Sequence, residues 1–138
     1  MDCLIDLDPT HRVLRATVTT RALTDEGLMD LYRLIERIAT QGGPYSAIID
    51  LSEVLAMRVS ASTVETLAES NPAVPEGTPR VIVAKKDVVF GLSRMFELNR
   101  DSMHGQLHVV HSLDEAYVLL GVNSENFSKR LFPQRSAA

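Results

Sequence analysis

Three of the chain's four histidines, His104, His108 and His111, lie close together in sequence. Imidazole is a common metal ligand, and on one helix this spacing would bring the three rings to a shared face. The surrounding Gln-Leu-His-Val-Val-His run reads instead as a strand, in which residues 108 and 111 point to opposite sides. His104 falls in the loop before it, beside Gly105. No metal site is expected. Nucleophilic catalysis finds no better footing. Gly91-Leu92-Ser93-Arg94-Met95 begins like a nucleophile elbow, but the second glycine is missing and the serine sits inside a helical pattern, not on a strand-to-helix turn. Gly42-Gly43 follows a helix, whereas a phosphate-cradling loop precedes one. No catalytic residue, enzymatic activity or cofactor is expected.

A second group is more informative. Asp50 ends a predicted parallel strand, the place where α/β folds gather their sites, although a lone Asp there also serves as a local hydrogen-bond acceptor. The connection from Ser52 to Val59 carries Arg58. Ser60 is placed to cap the helix that follows, with its hydroxyl at the helix's positive end. Ser62 lies in the first turn. The expected binding residues are therefore Asp50, Ser52, Arg58, Ser60 and Ser62, with Arg58 offering a cation to an anionic group. Cys3, the single cysteine, reads as a small apolar side chain in the first strand and excludes an intrachain disulfide.

These residues need a scaffold, and the pattern supplies one. Residues 3–7 and 12–20 read as two strands joined by Asp8-Pro9-Thr10-His11, a turn in which Asp bonds nearby backbone and Pro presets φ. Thr24 caps a helix carrying Leu28, Leu31, Leu34, Ile35 and Ile38 at helical spacing, which ends at Gly42-Gly43-Pro44. Residues 45–51 form a third strand, near-continuously apolar and so covered on both faces. A short helix over 60–70 directs Val64, Leu67 and Ala68 inward. A loop with Pro72, Pro75 and Pro79 precedes a strand over 80–86. A helix from Asp87 carries Val88, Leu92, Met95 and Phe96 as one stripe. A strand over 106–111 leads to the capping box Ser112-Leu113-Asp114-Glu115 and a last helix ending at Gly121. Strands alternating with helices imply right-handed crossovers. The fold class is α/β, a single-layer, mixed, mostly parallel five-stranded sheet with an N-terminal antiparallel hairpin and four helices. Residues 1–122 form the domain. Residues 123–138 read as a polar, partly basic tail, free in the monomer or docked on a neighbour through Phe127, Leu131 and Phe132.

The chain has 138 residues, one domain's worth. Its hydrophobic content of 45% excludes a disordered chain. Fourteen Lys and Arg against 18 Asp and Glu leave a net charge of −4, and aromatic residues make up only 5%. Neither a basic footprint nor a stacking platform for nucleic acid is present. No apolar run approaches a membrane span, and the N-terminus lacks a signal-peptide pattern. A cytoplasmic protein without stable membrane insertion is expected.

The segment Ile49-Asp50-Leu51, Met57, Arg58-Val59-Ser60-Ala61-Ser62 resembles a STAS domain, the fold of anti-sigma factor antagonists. Those proteins carry a strand ending in Asp, a loop with Met, then Asp-Ser-Ser-Gly-Leu opening a helix. Ser60 falls at the family's phosphorylated serine, while Arg58, Val59 and Ala61 stand where it has Asp, Ser and Gly. Arg94-Met95-Phe96-Glu97 and Ser112-Leu113-Asp114-Glu115-Ala116 are similar to a divergent single-domain STAS/SEC14-type branch. The resemblance, over residues 3–121, implies a bacterial, non-enzymatic regulatory module that binds a protein partner. Its alternative is a carrier or sensor of a small apolar or lipid-like ligand in a cleft beneath the helix at 87–101. A homodimer is compatible with either.

Overall fold

Asp8 turns the chain. Its Oδ1 accepts from the amides of Thr10 at 3.0 Å and His11 at 3.1 Å, while Oδ2 lies 2.7 Å from His11 Nδ1. Arg12 completes the turn in the left-handed region at φ 56°, its guanidinium 4.5 Å over the Tyr45 ring. Strands β1 (Asp2–Asp8) and β2 (Val13–Val18) thus form the expected antiparallel hairpin. The computed structural model describes residues 1–42, 45–69, 78–104, 106–127, 129–130 and 134–135. Gly43, Pro44, Pro72, Pro75, Gly105, Leu131 and Phe132, and the side chains of Ala68 and His104, lie outside the described residues.

After the hairpin come β3 (Ala22–Thr24), α1 (Asp25–Gly42), β4 (Ser46–Asp50), β5 (Ala56–Arg58) and α2 (Ala61–Glu69). Then follow β6 (Arg80–Val83), α3 (Asp87–His104), β7 (Leu107–Val110) and α4 (Leu113–Leu120). The main sheet runs β7-β6-β4-β2-β1. β1 is antiparallel to β2, and the other neighbours are parallel. This is the mixed α/β sheet with four helices that the alternation of patterns predicts. The expectation omitted a second sheet in which β3 pairs with β5 in parallel, Leu23 opposite Met57 and Thr24 opposite Arg58. Two further strands, β8 (Lys129–Arg130) and β9 (Gln134–Arg135), pair antiparallel with β1. The segment read as a tail therefore lies along the hairpin edge at those four residues.

Alternation along the strands divides the core. One face of the sheet gathers Leu14, Ala16, Ala47, Ile82 and Leu107 with Leu31, Leu34 and Ile35 of α1 and Val89 of α3. The other gathers Val13, Ile48, Val81, Val83 and Val110 with Ala116 and Tyr117 of α4, Val122 and Phe127. Phe127 shares a cluster with Val122 across the boundary expected at residue 122. Burying each large side chain stabilises the fold by about 1.5–3 kcal/mol. Of the stripe expected on α3, Leu92 and Phe96 face the sheet, and Val89 takes the place of Val88. Val88 is 52% exposed and Val89 is fully buried, because the helix begins at Asp87 and turns its 89, 93 and 96–97 edge to the sheet. Glu97 Oε2 accepts the Val109 amide at 3.2 Å and the same carboxylate pairs with Arg94, tying α3 to β7. The α4 capping box forms as read. Ser112 Oγ accepts the Glu115 amide at 3.2 Å, and Gly121 takes the left-handed C-cap at φ 66°.

Candidate functional site

The connection after β4 is fastened at both ends. Asp50 is buried, and its Oδ1 accepts the Ser52 amide at 2.9 Å. That is the loop-stabilising role weighed for it from the sequence. Ser52, half-buried, contributes its backbone to the same turn. Val54 is fully buried. The amides of Leu55 and Ala56 both donate to the Arg21 carbonyl, at 2.7 and 3.1 Å. These bonds carry the chain onto β3 and make a strand of residues expected to be an irregular connection.

Arg58 emerges exposed at the end of β5. Two residues on, Ser60 caps α2 as expected, its Oγ accepting the Thr63 amide at 3.2 Å. The Ser60 amide in turn donates to Asp25 Oδ1 at 2.8 Å. The Ser60 hydroxyl lies 3.1 Å from Ser62 Oγ, 3.0 Å from Thr63 Oγ1 and 3.4 Å from Asp25 Oδ2. The structure thus brings Arg58, Ser60 and Ser62 onto one exposed stretch, while Asp50 and Ser52 bond each other at the start of the connection. Leu55, 47% exposed, adds an apolar side chain to the same connection.

Reading the sequence missed Asp25 and Leu55. Asp25 counted only as an acid in a first helical turn, and its contact with Ser60 spans 35 positions. The signal lay in Ala22-Leu23-Thr24 and Ala56-Met57-Arg58, two short runs that pair only because α1 and β4 bring them together.

Behind this stretch lies an apolar cleft of about 110 Å³ between the sheet and helices α1, α2 and α3. Leu92 and Phe96 line it from α3, the helix beneath which the carrier alternative expects a cleft; Met95 does not. The volume is below the 300 Å³ or so of an ordinary ligand pocket. Met57, next to Arg58, forms part of the wall.

The remaining candidates scatter. His108 is half-buried on β7, and His111 is exposed, stacked on Phe90 with ring centroids 4.0 Å apart. Among the described residues no group of three or more His, Cys, Asp or Glu lies together as a metal site would require. Cys3 is 1% exposed, and burial, with the Asp6 charge adding, pushes its thiol up to about 12. On the α4 side, Arg15 Nη2 donates to the buried Asp6 carboxylate at 3.0 Å and Nη1 to Tyr117 Oη at 2.7 Å. The Arg15 guanidinium also lies 4.6 Å over the Phe127 ring. Burial alone would lower the Arg15 pKa, but the bonds to Asp6 and Tyr117 leave it raised.

Among the described residues no helix is long and apolar enough to cross a membrane. Neither a family model nor a curated protein matches the chain.

Proposed function

We propose that the chain is a non-enzymatic regulatory module of the STAS-like kind, binding a protein partner through the surface formed by Leu55, Arg58, Ser60 and Ser62. One observation carries the reading: an exposed cation and two exposed hydroxyls are held on a connection that backbone bonds and the Asp25 carboxylate make rigid. A preorganised surface loses less entropy on binding than a mobile loop does. Leu55 supplies an apolar contact and Arg58 a charge for an acidic group, the combination that an interface uses for affinity and register.

The Ser60–Asp25 contact bears on how such a module is controlled. A phosphate on Ser60 Oγ would place a dianion beside the Asp25 carboxylate, a repulsive arrangement. Arg58 instead presents positive charge without any modification. The reading is therefore of a constitutively competent surface that works in the cytoplasm as monomer or homodimer.

Capture from host lysate tests this with two charge reversals. Arg58→Glu should lose the specific partner, and Arg33→Glu, on the exposed outer side of α1, should keep it. Both should fold, since exposed charges usually alter stability by only about 0.5 kcal/mol. Equal recovery by the two variants would refute the assignment.

A further inference from the structure

The turn between β1 and β2 pairs a buried acid with an exposed imidazole. Asp8 is 1% exposed. Its Oδ1 is taken by the amides of Thr10 and His11, which fix the carboxylate in place. Oδ2 is left to meet His11 Nδ1 at 2.7 Å, while the His11 side chain is 44% exposed. A carboxylate oxygen only accepts, so in the neutral imidazole the proton sits on Nδ1 and the lone pair on Nε2. Nothing bonds Nε2 among the described residues. A fixed acid that sets the tautomer and orientation of an imidazole is the arrangement that makes histidine a base or a nucleophile. Neither His108 nor His111 bonds a carboxylate among the described residues. Arg12, the next residue, holds a left-handed backbone at φ 56°, a conformation that side chains other than glycine avoid and that concentrates at functional sites.

We propose that His11 is a phosphoryl-acceptor site, taking a phosphoryl group on Nε2 from an N-phosphoryl donor. The Nε2 lone pair attacks phosphorus, the donor's P–N bond breaks, and its electron pair leaves on the donor's nitrogen as an amine. No proton has to leave the attacking nitrogen. The ring becomes a cation that keeps its Nδ1 proton, and Asp8 Oδ2 balances that charge. Arg12 adds a positive charge next in the chain, which favours an incoming anion. The site stands apart from the partner surface. The Ser46 amide bonds the Arg12 carbonyl at the start of β4, whereas the connection to Arg58 leaves β4 after Asp50 at its other end. At about 3.3 Å per residue that is about 13 Å of strand.

Incubating the full chain with potassium phosphoramidate tests this, read by phosphorus NMR and by mass spectrometry of the protein and its peptides. Ammonia is then the leaving group. His11 should be phosphorylated on Nε2 at least about tenfold faster than His108 or His111. Asp8→Asn keeps an oxygen for the Thr10 and His11 amides but turns an amino group toward Nδ1. The ring proton then moves to Nε2 and the attacking lone pair is lost. This variant should slow His11 at least about tenfold and leave His111 unchanged, an asymmetry that general loss of structure does not produce. Should Asp8→Asn not fold, the comparison among histidines in the unaltered chain decides alone. Equal rates at His11 and His111 overturn the inference. So does a phosphoryl group on His11 Nδ1, or an Asp8→Asn variant whose His11 reacts as fast as in the unaltered chain.

Discussion

The backbone amide of Ser60 donates to Asp25 Oδ1 at 2.8 Å, joining the start of α2 to the start of α1 across 35 positions of chain. The bond explains how an exposed connection holds a fixed shape. The parallel pairing of β3 with β5 runs directly into it, with Thr24 opposite Arg58. The Thr24 side chain faces the other way along the chain, accepting the Gly27 amide at 3.1 Å to cap α1.

Replacing Asp25 should therefore loosen the surface without unfolding the domain. Asp25→Ala removes the acceptor of a partly exposed bond, at a cost of about 1 kcal/mol. Asp25→Asn keeps an acceptor oxygen and should lose less. Amide hydrogen exchange is the direct measurement, with the Ser60 amide exchanging faster in Asp25→Ala and those of β4 unchanged. Unaltered protection at Ser60 would show that the backbone pairing alone fixes the connection.

Arg15 makes a different kind of junction. It bonds the buried Asp6 and Tyr117 Oη and covers the Phe127 ring, so it links the hairpin, α4 and the chain that follows α4. Arg15→Ala leaves the Asp6 carboxylate at 2% exposure without this cation, which should cost about 3 kcal/mol. It should also speed tryptic cleavage at Lys129–Arg130, the residues paired with β1. Arg15→Lys should restore little of either, because an ammonium cannot reproduce the planar fork that reaches two acceptors and stacks on a ring. Denaturant unfolding and limited proteolysis of the three proteins measure both effects.

Those two junctions mark where the sequence stops being legible. Local signals carried far: the Asp8 turn, the Thr24, Ser60 and Ser112 caps, and the alternation of strands with helices each depend on residues within a few positions of one another. From them came the five-stranded α/β sheet and the place of Ser60 at the start of α2. Asp50 was legible as to place, but its burial depends on β4 lying between β2 and β6. The first residue of the α3 stripe was misplaced by one, because Val88 and Val89 are alike in hydrophobicity, and only the packing of the helix on the sheet chooses between them. Asp25 meeting Ser60, Arg15 meeting Tyr117 and the pairing of β3 with β5 are long-range events that no local pattern encodes.

Cys3 gives a pH-dependent prediction whose sign follows from its burial. In the unfolded chain the thiol titrates near the ordinary value of 9.0; in the fold it is pushed up to about 12. Below pH 9 both states keep the proton, and the contribution of the group to stability is fully present. As pH rises from about 9 toward about 12 the unfolded state deprotonates first, and stability falls by up to about 1.4 kcal/mol per pH unit. Denaturant unfolding at pH 8.5 and 10.5 should show a larger loss for the unaltered chain than for Cys3→Ala, in which this titration is absent. Equal losses would contradict it. Iodoacetamide at pH 8 should label Cys3 only when denaturant is present.

In the proposed function the partner docks on the connection between β4 and α2, and not elsewhere. The competing surface is the outer side of α4, where Val118 is 82% and Leu119 49% exposed. Site-specific photo-crosslinking separates the two, with a benzophenone side chain placed at Ser62 in one protein and at Val118 in another. After illumination in host lysate, position 62 should give a discrete crosslinked species that Arg58→Glu in the same chain abolishes, and position 118 should give none. A discrete, Arg58-independent species from position 118, with none from position 62, would place the partner on α4 instead.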